Sequence, residues 1–219
     1  MLKILFVLLF LLPATLHSVE PWYEQNSGTG EDLNAVFFLD EMRGFAIGNS
    51  GTLIETDDGG DGWQKKSITT ANDLHAITFI NENTGFIAGK SGILLRTTDR
   101  GDSWVPVPSN VSVDLYDFSV LSENAVWLCG RGVILKSTDS GRTWNKENIQ
   151  IEIDFRAISV IDDGKNIRGW ASGKLTKDPI NDLEYNTLVF HEYYIDDGWH
   201  TEGRWPEDES ITDLAIAED

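Results

Sequence analysis

The chain has 219 residues, with 36 acidic side chains against 17 basic ones and a formal charge of -19. A surface this acidic repels phosphate, and the sequence holds no basic run, which argues against a nucleic acid or an anionic membrane as partner. The lone cysteine, Cys129, can close no intramolecular disulfide, while 41% hydrophobic and 24% charged residues describe a folded chain rather than a disordered one.

Residues 1–18 read as a secretory signal. Lys3 supplies the positive start, Ile4 to Leu12 is an unbroken apolar run, and small Ser18 follows the helix-breaking Pro13. The run is short of the roughly 20 apolar residues a membrane span requires. Cleavage is expected near Ser18 and Val19, giving an extracytoplasmic product, periplasmic or secreted, with no membrane insertion of the mature chain.

From residue 33 the sequence repeats. Leu33-Asn34-Ala35-Val36-Phe37-Phe38 aligns with Leu74-His75-Ala76-Ile77-Thr78-Phe79, with Leu115-Tyr116-Asp117-Phe118-Ser119-Val120, and with Phe155-Arg156-Ala157-Ile158-Ser159-Val160. The starts lie 41, 41 and 40 residues apart, a period typical of stacked supersecondary units. A second apolar run ending in glycine follows each time: Gly44 to Gly48, Gly85 to Gly89, Val126 to Gly130 and Gly169 to Gly173. Short β-rich runs bounded by glycine and polar residues are strands. A third strand is expected at Thr52 to Glu55, Ile93 to Arg96 and Val133 to Lys136.

Each third strand leads into one motif, S/T-x-D-x-G-x-(S/T/G)-W. Its members are Thr56, Asp58, Gly60 and Trp63, then Thr97, Asp99, Gly101 and Trp104, then Ser137, Asp139, Gly141 and Trp144. The aspartate of a tight turn accepts backbone N–H bonds a residue or two onward, and the glycine two places later takes the positive φ that closes a hairpin. A tryptophan opening a fourth strand buries roughly 150–250 Å². The three tryptophans are therefore expected to be packing wedges between repeats.

These residues resemble the Asp-box, or BNR, repeat of β-propellers. With the phrases Gly-Phe-Ala-Ile-Gly and Gly-Phe-Ile-Ala-Gly they are most similar to the photosystem II stability and assembly factor-like family, across about residues 22–216. The resemblance implies an all-β propeller of four Asp-box blades plus terminal strands, with repeats at about 33–73, 74–114, 115–154 and 155–210 and a further start at 211–219. Residues 19–219 form one propeller domain in this reading. A ring of seven such blades would need about 287 residues, so an incomplete arc of a larger ring is expected, the competing form being a four-bladed ring closed by the strand at Trp22. The resemblance also implies a non-catalytic binding or assembly scaffold without a cofactor. The alternative is the first part of a sialidase-like or other glycan-processing propeller enzyme.

Tryptophan phase extends the pattern. Trp22, Trp63, Trp104 and Trp144 each stand 11 residues before the next inner run, and Trp199 stands 12 before Ile211, so Trp22 and Trp199 hold box positions without a box. The fourth repeat carries an insertion. From the glycine ending the second strand to the tryptophan takes 14 or 15 residues in three repeats and 26 from Gly173 to Trp199. Lys174, Lys177, Asp178, Asn181, Asp182 and Tyr185 are the candidate binding residues, on a loop sharing its face with the links between blades, and the partner is an unknown protein or a glycan.

Chemistry is sparse elsewhere. Arg43, Arg96, Arg131, Arg142 and Arg156 fall at different repeat positions and suggest no arginine triad, and Arg-Ile-Pro is absent. His75, His191 and His200 lack a metal-ligand spacing. Asp57, Asp58 and Asp61 do not fit an EF-hand, whose twelfth position here is Ile68 rather than glutamate. Cys129, in the run Trp127-Leu128-Cys129, is expected to be a buried filler.

Overall fold

The structure, a computed structural model, describes residues 24–149, 153–162, 164, 167–175, 185–192 and 200–205; for residue 175 and the last two stretches it describes the main chain. The expected strands at Trp22 and Ile211, the Trp199 position and residues 1–18 lie outside the described residues. Among the described residues sixteen strands form four antiparallel sheets, each a four-stranded meander in chain order.

Blade 1 holds β1 (Leu33–Phe38), β2 (Gly44–Gly48), β3 (Leu53–Thr56) and β4 (Gln64–Lys65); blade 2 holds β5 (Leu74–Phe79), β6 (Gly85–Gly89), β7 (Leu94–Thr97) and β8 (Val105–Pro106). Blade 3 holds β9 (Leu115–Val120), β10 (Val126–Gly130), β11 (Val133–Ser137) and β12 (Asn145–Lys146); blade 4 holds β13 (Ile153–Asp162), β14 (Ile167–Leu175), β15 (Tyr185–Glu192) and β16 (His200–Trp205). The third strands run through the Asp-box threonine or serine. The fourth strands of blades 1 to 3 begin one residue after the tryptophan. Their two exposed residues leave little edge for another chain to pair with.

The blades stack side by side, β1 against β5, β5 against β9, and β9 against β13, and no comparable packing joins β13 back to β1 among the described residues. This is an incomplete propeller. The hydrophobic core is accordingly divided between blades. Phe45, Ile47 and Leu53 of blade 1 meet Leu74, Phe79 and Trp104 of blade 2; Phe86 and Leu94 meet Leu115, Leu128 and Trp144; Trp127, Cys129 and Ile134 meet Phe155, Ile158 and Val160. A middle strand therefore has an apolar neighbour on both faces. Along β10, Val126 and Leu128 turn to blade 2 while Trp127 and Cys129 turn to blade 4, and every residue is buried. Burial pushes the Cys129 thiol up, so it stays protonated.

The tryptophans point backward. Trp104 meets the rings of Phe45 on blade 1 and Phe79 on its own blade, and Trp144 does the same with Phe86 and Phe118. Trp63 has no blade behind it among the described residues. It is half-buried, edge-on to Phe38, with Nε1 donating to Gln25 Oε1 at 3.2 Å. The expected wedge geometry thus holds at Trp104 and Trp144, and among the described residues Trp63 enters no other blade.

The Asp-box closes differently from the sequence expectation. The Asp58, Asp99 and Asp139 carboxylates accept from the backbone of Gly62, Ser103 and Thr143, four residues onward. The turn is long enough to fold back on the carboxylate. The first residue of the box is the second lock: Thr97 Oγ1 donates to Asp99 at 2.6 Å and accepts from Gly101 N at 3.0 Å, and Thr56 and Ser137 repeat the pair. Gly101 (φ 88) and Gly141 (φ 72) sit in the left-handed region. A Cβ at Gly141 would lie 2.1 Å from Cε1 of Phe86, so the preceding blade as well as the turn requires glycine there.

The Ser103 and Thr97 hydroxyls hold the Asp99 carboxyl at about 2, below its ordinary 3.8. Its contribution is complete above the unfolded value and is lost as pH falls from about 4 toward 2. The carboxylate faces solvent, so screening keeps the effect modest. Urea midpoints measured across that window should fall for the wild type, and with a shallower slope for Asp99→Asn.

Candidate functional site

Asp-boxes occupy one end of the blades. The other end carries the β2–β3 type turns and the links between blades, and one feature recurs there in every blade. The inner strand slips register at one equivalent residue, the second of β1, β5 and β9 and the fourth of the longer β13: Leu33 pairs with Gly48 but Ala35 with Ile47, Leu74 with Gly89 but Ala76 with Ala88, Leu115 with Gly130 but Asp117 with Cys129, and Phe155 with Gly173 but Ala157 with Ser172. The residues left over are Asn34, His75, Tyr116 and Arg156. A bulge frees a residue from the ladder and redirects its side chain.

Asn34 and His75 reach the following blade, and Arg156 reaches back to Tyr116 of the preceding one. Asn34 Nδ2 donates to the Leu74 carbonyl at 2.8 Å, and His75 Nδ1 lies 2.9 Å from the Leu115 carbonyl. A carbonyl only accepts, so Nδ1 carries the proton and Nε2 is left as an acceptor. The His75 and Tyr116 rings stack at 5.1 Å, and the Arg156 guanidinium lies 3.9 Å from the Tyr116 ring centre. Imidazole, phenol and guanidinium form one planar strip across three blades.

Carboxylates edge the strip. Asp73 and Asp114, immediately before the inner strands, accept from the backbone of Ser50 and Ser91, whose positive φ values of 56 and 58 shape the turns beside them. Those N–H bonds hold both carboxyls below the usual aspartate range, with Lys90 and Arg131 respectively assisting. Arg131 Nη2 lies 3.4 Å from Asp114, Arg156 Nη2 lies 2.8 Å from Asp154, and Tyr116 Oη donates to Asp114 at 3.3 Å. Burial raises the Tyr116 phenol, which therefore stays a neutral hydroxyl. Glycine permits the close approach underneath. A Cβ on Gly89 or Gly130 would meet the Asp73 or Asp114 carbonyl at 2.2 or 2.3 Å.

The insertion leaves β14 at this same end. Leu175 pairs with Tyr185 and Lys174 with Asn186, so part of the insertion lengthens the β14–β15 ladder. Lys174 and Tyr185 therefore stand in strands rather than in a loop, and Lys177, Asp178, Asn181 and Asp182 lie outside the described residues. His191 and His200 belong to β15 and β16, apart in sequence and blade from His75. Among the arginines, Arg43 is tied to Asp102 at 2.6 Å and Arg96 Nε donates to the Ser140 carbonyl, while Arg131 and Arg156 converge on the Asp114–Tyr116 cluster. No group of acidic, histidine and cysteine side chains among the described residues forms a metal site.

Serial four-stranded meanders, inter-blade cores and Asp-box turns define a BNR-type β-propeller. Residues 14–114 match the model of the family described as Photosynthesis system II assembly factor YCF48. The match covers just under half of the chain, and the fold agrees with it: the chain is similar to the photosystem II assembly factor-like BNR propellers. A structure of YCF48 bound to a D1 peptide is similar at TM-score 0.63 and 21% identity, covering 86% of this chain and 58% of that one. YCF48 from Cyanidioschyzon merolae is similar at TM-score 0.59 and 17% identity, covering 85% and 60%. An ancestral GH74 enzyme shares the fold at TM-score 0.62 and 19% identity, covering 78% of this chain and 25% of the enzyme. The chain thus spans less than two thirds of each of these proteins. No curated protein matches it.

Proposed function

We propose that the chain is an extracytoplasmic protein-binding scaffold that holds an extended peptide segment of its partner along the Asn34–His75–Tyr116–Arg156 strip. The carrying observation is the bulge at one position in all four blades, which spends ladder pairing to present a different polar side chain each time. A scaffold needs that position to be presented but not to be uniform. Stacked His75, Tyr116 and Arg156 offer planar faces and edges, and His75 Nε2 and the Arg156 guanidinium supply an acceptor and donors for a peptide backbone. The acidic surface favours a partner with basic residues beside the held segment. The inserted residues 176–184, which follow the end of β14, are the second contact. The family-model match over residues 14–114 and the D1 peptide of the YCF48 structure support this reading, and the apolar start of the chain supports secretion.

A displayed library of short linear peptides, with a D1 peptide included, tests it. Selected peptides should lose about 10- to 100-fold in affinity on Tyr116→Ala or Arg156→Ala, as expected for central aromatic and arginine anchors. Unchanged circular dichroism would show that the blades remain intact. Peptides that bind both variants as well as the wild type would refute the strip as the binding site.

A further inference from the structure

The bulged side chains differ in what they can offer a partner. Asn34 Nδ2 donates to the Leu74 carbonyl at 2.8 Å and to Asn49 Oδ1 at 3.1 Å. An amide nitrogen has two hydrogens, and both are spent within this chain. The Leu74 carbonyl only accepts, so it fixes which way the amide faces and leaves Oδ1 as an acceptor. His75 repeats the arrangement one blade on, its Nδ1 proton going to the Leu115 carbonyl and Nε2 remaining as an acceptor. Neither acceptor atom has a hydrogen-bond partner among the described residues.

Both acceptors are strengthened from behind. Asn49 Nδ2 donates to Asp32 at 3.3 Å, and an amide or imidazole that donates at one end accepts more strongly at the other. Negative charge collects around them. Glu31 accepts from the Ser50 hydroxyl, Asp73 accepts from the Ser50 N–H, and Lys90 pairs with Asp73. The blade 3 and 4 half of the strip is opposite in kind. Tyr116 gives its hydroxyl proton to Asp114, and the Arg131 and Arg156 side chains, 56% and 44% exposed, present donors alone. Their counter-charges, Asp114 and Asp154, are 21% and 14% exposed, so the outermost charge there is positive. A cation laid along the strip is repelled at blades 3 and 4 and received at blades 1 and 2.

We infer that Asn34 and His75 form a subsite for a cationic side chain of the held segment, a lysine or an arginine whose N–H groups donate to Asn34 Oδ1 and His75 Nε2. An ammonium or guanidinium carries donors and no acceptor, which matches two acceptor atoms, and the carboxylates beside them favour its charge over a neutral donor. The subsite rests on the peptide reading above and gives it a direction, since the cation fixes one end of the segment over blades 1 and 2.

Calorimetric titration with peptides selected on the wild-type protein tests it. Each peptide should contain a lysine or arginine whose replacement by glutamine weakens binding about tenfold or more, a change that leaves the protein untouched. His75→Lys, which sets a donor and a like charge in place of Nε2, should weaken the parent peptide about 30-fold and the glutamine-replaced peptide less than about threefold. Nitrogen NMR of the neutral His75 ring should find its proton on Nδ1; a proton on Nε2 would remove the acceptor and overturn the inference without any peptide. Peptides that lose affinity on Tyr116→Ala, and so use the strip, but tolerate replacement of every lysine and arginine would also overturn it. So would an equal loss of both peptides on His75→Lys. Peptides indifferent to Tyr116→Ala would take away the strip, and this subsite with it.

Discussion

Trp104→Ala should lower the free energy of unfolding by about 3–5 kcal/mol, while Trp63→Ala should cost about 1–2 kcal/mol, although the two tryptophans occupy the same place in the same motif. Trp104 is buried between Phe45 of the preceding blade and Phe79 of its own, so truncation opens a cavity at the joint of two blades. Neither sheet can collapse into it without shifting the other. Trp63 touches Phe38 and Gln25 and is half-buried, so truncation mainly exposes surface that already meets water. Urea denaturation of the two variants measures the difference directly. Equal losses would mean that Trp104 is stabilised within its own blade, and the inter-blade wedge would have to be abandoned.

Gly92→Ala should cost at least about 3 kcal/mol or prevent folding, and Gly132→Ala about 1 kcal/mol. Both glycines have positive φ, 74 and 65, so the backbone strain of an alanine is shared. The surroundings are not. A Cβ at Gly92 would lie 2.0 Å from the Val111 carbonyl oxygen, which belongs to the main chain of the link between blades 2 and 3, whereas at Gly132 nothing lies within 4 Å. A main-chain carbonyl tied into a link cannot retreat as a side chain can. The same link leads into Asp114 and Tyr116, so displacing it also moves the strip. Thermal melts of the two variants provide the comparison, and similar values would show that the link is free to move.

The repeat, its box and the inward runs were legible because they are written in residue classes that recur in phase. Leu33, Leu74, Leu115 and Phe155 mark the inner strands, and Trp104 and Trp144 mark the joints. The direction of the wedge was not legible. Nothing in the spacing says whether an indole enters the blade before or the blade after, and only the structure shows that Trp63 meets no earlier blade among the described residues. The role of Thr56, Thr97 and Ser137 also escaped, because a hydroxyl that donates and accepts at once looks like an ordinary turn residue.

The strip was missed for a different physical reason. Asn34, His75, Tyr116 and Arg156 differ in every repeat, so they carry no motif, and Arg131 and Arg156 looked unrelated until folding set both beside Asp114 and Tyr116. A signal was present nonetheless. Leu74, Ile77 and Phe79 face the same blade at spacings of three and two, which strict alternation of a strand forbids, and the extra residue between the first two is the bulge. Reading that break would have singled out His75 and its equivalents. The 176–184 segment drew attention by length instead, although length reports room for a contact and says nothing of its chemistry.

Hydrogen–deuterium exchange of the chain, with and without a selected peptide, tests the binding strip most directly. The account predicts slowed exchange at 73–76, 114–117 and 154–157, where the bulged residues leave the ladder. Protection confined to the Asp-box turns or to the outer strands β4, β8 and β12, with those three stretches unchanged, would contradict it.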